Sequence, residues 1–162
     1  MDKIARIVLQ TYLFEKKVLK PEEIPEAKLL PNQKIPLFIT VSDGETVVAS
    51  SGRVYALHPV AEEIIELTTM IPSDPRFVSY KENPEKARKL NYRVDLLHDA
   101  DRRILHHPDE IDSKTEGMIV VCQKQEKLGV LLPRMLPGTP SGEEIYHHIA
   151  QKIQLDTHTL GK

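Results

Sequence analysis

The chain has 162 residues, 40% of them hydrophobic and 28% charged, so it can bury a core without disulfides and is not a disordered segment. A net charge of −2 leaves no basic footprint for nucleic acid, and the one cysteine, Cys122, excludes an internal disulfide and any multi-cysteine metal site. No run reaches the roughly 18 apolar residues of a membrane span, and Met1-Asp2-Lys3 opens no secretory signal, so the expected setting is cytoplasmic, without membrane or nucleic-acid partners.

Apolar residues at helical spacing (Ile4, Ile7, Val8, Thr11, Tyr12) predict an amphipathic helix over residues 2–19, with Asp2 as a cap. Pro21, Pro25 and Pro31 then impose a loop over 20–34. Residues 35–50 read as a β-hairpin turning at Asp43-Gly44, with residues 51–58 as a glycine-containing loop. A second helix is expected over 59–71, with Pro59 in its first turn and Val60, Ile64, Leu67 and Ile71 as its buried stripe. Glu62 and Glu63 there complement the positive end of the helix dipole.

Asn83-Pro84 predicts a short helix to Leu90, and Tyr92 to Leu96 alternates as a half-buried strand does. Residues 98–115 are polar and irregular. Met118 to Cys122 and Leu128 to Leu132 read as a second hairpin, and Cys122 continues its apolar run as a buried thiol. Ser141 and Glu144 form a capping box for a last helix with Ile145, Ile149 and Ile153 on one face. The order of elements predicts α+β, with both hairpins antiparallel in one sheet flanked by helices.

Several of these pieces carry a resemblance. Leu37-Phe38-Ile39-Thr40-Val41, the Asp43-Gly44 turn, Pro59-Val60, Asp74-Pro75-Arg76-Phe77, Val94-Asp95-Leu96-Leu97, Gly117-Met118-Ile119-Val120 and Leu131-Leu132-Pro133-Arg134-Met135 follow one another as in a known family. Over residues 3–155 the chain resembles the AMMECR-type domain family. The family signature Leu-Arg-Gly-Cys-Ile-Gly falls on Val47 to Gly52, where Arg-Gly-Cys-Ile is replaced by Val48-Ala49-Ser50-Ser51 and only Gly52 is kept. The resemblance implies a single AMMECR-like α+β domain over 1–162 with an antiparallel sheet, flanking helices and a cleft beside the signature loop. It also implies a shared pathway with Memo-like and radical-SAM proteins.

The candidate ligand cleft is therefore Ser50, Ser51, Gly52 and Arg53 together with Asp74, Arg76 and Phe77. Arg76, then Arg53, would anchor a small anionic ligand by forked hydrogen bonds, although the pattern fits an Arg76–Asp74 pair that merely fixes the turn better. A nucleophilic Ser50 or Ser51 needs a base, and the nearest histidine in sequence is His58; no G-x-S-x-G elbow surrounds them. His106-His107 and His147-His148 are adjacent pairs whose rings diverge, which suits a solvated loop and a helix surface better than a metal, so neither metal nor cofactor is expected. Two readings follow: a binding component acting with a ligand or partner protein, or an enzyme using the cleft near Ser50–Arg53 on a small molecule or macromolecule.

Overall fold

The computed structural model describes residues 1–155. The chain divides into two compact units, residues 1–102 and 103–162, each with its own apolar core.

In the first unit, α1 (Asp2–Glu15) buries Ile4, Ala5, Val8, Leu9 and Leu13. The helix stops short of the expected residue 19. Lys16 turns into the left-handed region at φ 55° and its N–H closes on the Tyr12 carbonyl, a helix-ending geometry. Nor does Asp2 cap the helix that it begins; its carboxylate accepts the Val94 N–H at 2.9 Å instead.

Three strands make the sheet of this unit: β1 (Leu37–Asp43), β2 (Thr46–Gly52) and β3 (Asn91–Leu96), antiparallel in the order β2-β1-β3. Gly44, at φ 58°, takes the left-handed conformation that the first position of the two-residue turn demands. The register slips between Val41 and Ser42, which pair with Ala49 and Val47, so Val48 is a bulged residue. The bulge explains why Val48 and Ala49 are buried side by side where a regular strand would alternate. Beyond the bulge the ladder runs further than the sequence suggested. Ser50, Ser51 and Gly52 pair with Thr40, Ile39 and Phe38, and the Arg53 N–H still reaches the Leu37 carbonyl. The residues at the signature position thus lie on a strand, not in a loop.

Helix α2 (Val60–Met70) buries Val60, Ile64 and Leu67, continued by Ile71, as expected. Short 3-10 turns follow at Ile71–Ser73 and Pro75–Phe77, then α3 (Val78–Glu82). The short helix expected after Asn83 is a 3-10 segment, Pro84–Lys89, a form suited to so few residues.

In the second unit, β4 (Met118–Cys122) and β5 (Lys127–Leu131) form an antiparallel two-stranded sheet, and α4 (Gly142–Lys152) covers it from the Ser141–Glu144 capping box. Both hairpins are antiparallel, but they do not share a sheet: the open side of β1 is taken by β3, while β4–β5 packs its own core of Met118, Leu131, Ile145 and Ile149. Cys122 is buried, as its place in the apolar run implied. The fold is α+β with antiparallel sheets, and among the described residues no helix is long and apolar enough to cross a membrane.

Two glycines fix how α4 sits. Gly129 lies under Ile149 and Ile153, and a Cβ on Gly142 would come within 1.9 Å of the Pro108 carbonyl oxygen. A backbone atom cannot rotate aside, so Gly142→Ala should force the helix start away from the 108–110 turn. We expect a loss of about 1–3 kcal/mol in urea unfolding; an unchanged midpoint would show that this close approach is not maintained in solution.

Candidate functional site

The segment Asp74-Pro75-Arg76-Phe77 folds as its residue types dictate. Pro75 opens a 3-10 turn, Asp74 caps it by accepting the Arg76 N–H at 3.0 Å, and Phe77 drops fully buried into the core beside Tyr80, ring centroids 5.3 Å apart. This anchoring lays the Asp74 carboxylate against the outer edge of β2. There it accepts the Ser50 N–H at 3.0 Å, and it takes the Arg76 guanidinium at 3.1 Å from Nε and 2.8 Å from Nη2. The same Nη2 donates to Ser50 Oγ at 3.2 Å. Ser50, Asp74 and Arg76 therefore form one polar cluster. Arg76 is about half-exposed, with 48% of its side chain accessible, while Asp74 retains 11%.

Burial pushes the Asp74 carboxyl upward, but the side-chain and backbone donors of Arg76 and the Ser50 N–H outweigh it and hold the group below its ordinary value. Arg76 is correspondingly held above its own, chiefly by its hydrogen bonds to Asp74.

The remaining expected residues fall elsewhere. Phe77 belongs to the core and offers no surface. Gly52 serves packing: it lies opposite Phe38, whose ring would stand 2.2 Å from a Cβ at this position. Ser51 pairs with Ile39 on the strand. Arg53 is committed to α2, donating to Glu63 Oε2 at 3.0 Å and Glu66 Oε1 at 2.8 Å. His58 is no base for Ser50; its Nε2 lies 2.8 Å from Glu66 Oε2. The exposed His107 and His147 rings each face one oxygen of Glu143, at 3.5 and 3.6 Å.

The sequence reading passed over Glu63 and Glu66. Glu63 has no solvent exposure, and it accepts the His58 N–H at 3.3 Å as well as Arg53. Its place at i+3 on the stripe Val60, Ile64, Leu67 was the available signal, read instead as a dipole-complementing charge. His58, Glu63 and Glu66 bring one ligand atom each to within 4.8 Å of one another. The Glu66 carboxyl lies below its ordinary value, first through Arg53 and further through His58.

Two outcomes test this geometry. Arg53→Met strands the buried Glu63 charge and should cost about 3 kcal/mol in urea unfolding, at the low end for a buried pair because the guanidinium edge meets water; adding Glu63→Met should recover most of the loss. Asp74 stabilises the fold fully above the ordinary aspartate value of about 3.9, and that contribution disappears as pH falls through the lower folded value. Asp74→Asn should therefore flatten the acid limb of the melting temperature against pH, and parallel curves for the two proteins would contradict the pairing.

The AMMECR1 family model matches residues 2–161. The crystal structure of an uncharacterised protein from Pyrococcus horikoshii is similar, with a TM-score of 0.72 at 19% identity over 95% of this chain and 78% of that one. At that identity the likeness speaks for the fold alone. No curated protein sequence matches the chain. With nearly its whole length matched by the family, the chain belongs to the AMMECR1 family.

Proposed function

We propose that this chain is a binding component rather than a hydrolase, engaging an anionic ligand or an acidic patch of a partner protein through Arg76 and Ser50. The carrying observation is the state of Ser50. Its hydroxyl oxygen accepts from Arg76, and among the described residues no imidazole or carboxylate accepts a hydrogen bond from it. A serine without a base is a weak nucleophile, which favours binding over the enzyme reading centred on Ser50 and Arg53, and Arg53 is already paired with two glutamates. Arg76, by contrast, is half-exposed and presented by a turn that Pro75 and the buried Phe77 hold rigid. An acidic group arriving there would share the guanidinium with Asp74 and could accept from the Ser50 hydroxyl.

The family resemblance makes a Memo-like or radical-SAM protein the partner to test first. Mixing this chain with each such protein encoded beside it, and measuring association by calorimetry, should reveal a complex that Arg76→Ala weakens by about 2 kcal/mol, roughly 30-fold. The melting temperature of the variant separates lost recognition from lost folding. A complex indifferent to Arg76→Ala, or none with any such protein, overturns the reading.

A further inference from the structure

Glu63 has no solvent exposure, yet only one of its oxygens is bonded. Oε2 accepts from Arg53 and from the His58 N–H, whereas Oε1 is buried with no partner. An orphaned carboxylate oxygen in the interior is costly, and a cation is the species that relieves it. Beside the Glu63 carboxylate stand the Glu66 carboxylate and the His58 imidazole, with one ligand atom from each of the three residues within 4.8 Å of the others.

We propose that His58 Nε2, Glu63 and Glu66 form a binding site for a divalent first-row transition-metal ion, with Arg53 standing in as the resident cation when no metal is bound. The inference is independent of the partner-binding reading, which concerns Arg76.

One imidazole and two carboxylates suit zinc, manganese, iron or cobalt and leave coordination positions open for water or a ligand. Metal bonds of about 2.0–2.2 Å bring donor atoms to roughly 3–3.5 Å from one another, so the cluster has only a short contraction to make. Glu63 is fixed by burial, whereas Glu66 and His58 are nearly half-exposed and can move toward it. The charges also balance: two carboxylates neutralise a divalent ion without Arg53, whose partly exposed side chain would turn toward water when the metal binds. The imidazole must bind as its neutral form through Nε2, so any proton held there against Glu66 moves to Nδ1 or leaves to solvent.

The test titrates the full chain with Zn²⁺ or Co²⁺ alone, by calorimetry and, for cobalt, by its visible absorption. Saturable one-to-one binding is expected, weaker in acid, where protons compete with the metal for its ligands. His58→Ala should weaken it tenfold or more without lowering the metal-free melting temperature, because His58 is exposed. The double variant His107→Ala, His147→Ala should leave the affinity unchanged. Absence of saturable binding by the wild-type chain, binding indifferent to His58→Ala, or binding abolished by the His107/His147 variant would each overturn the proposal.

Discussion

A carboxylate with no access to water must have a cation beside it, and the buried Glu63 imposes that condition on the first unit. Removing a charge from water costs several kcal/mol unless a partner answers it. Arg53 answers from the residue directly after β2, while the first turn of α2 adds its dipole. The pairing ties the end of the strand to the start of the helix across the six-residue connection 54–59. With α2 so placed, its far end delivers the 74–77 turn to the edge of β2. The Ser50–Asp74–Arg76 cluster is in this sense downstream of a salt bridge that shares no residue with it.

Both outer strands of the three-stranded sheet meet the same problem, since an edge strand carries N–H groups with no neighbouring strand to accept them. Both meet it with an aspartate from a distant segment. Asp74 accepts the Ser50 N–H on β2, and Asp2, 92 positions away in sequence, accepts the Val94 N–H on β3. The devices differ in consequence. Asp2 closes its edge without further chemistry, whereas Asp74 also holds an arginine whose outer face meets solvent. The segment that protects the sheet from edge pairing is thus the one that offers a charge for recognition.

The departures from the family signature agree with this arrangement. Val48 and Ala49 are buried at the bulge, where their apolar character fits, and Ser50 is the residue that the resemblance sets at the position of the signature cysteine. A hydroxyl accepts from Arg76 as a neutral group, while a thiol beside a guanidinium would be drawn toward thiolate. The retained Gly52 is explained by the Phe38 ring that lies over it.

The local elements were legible because each rests on local physics: the apolar period of α1 and α2, the Gly44 turn, the Pro75 turn with its Asp74 cap, and the Ser141 capping box. The partners of the charged side chains were not. Asp2 reads as a helix cap and serves β3; Glu63 reads as a dipole charge and lies buried; Arg53 reads as a ligand anchor and is bound to α2. Nor could spacing tell that β3, and not the second hairpin, completes the first sheet. Propensity and period act over a few residues, so the sequence carries them openly. A charge finds its partner through whatever the fold brings within about 4 Å, and an open strand edge is filled by whichever segment the packing of the core leaves beside it. Those choices are made only when the chain has closed on itself.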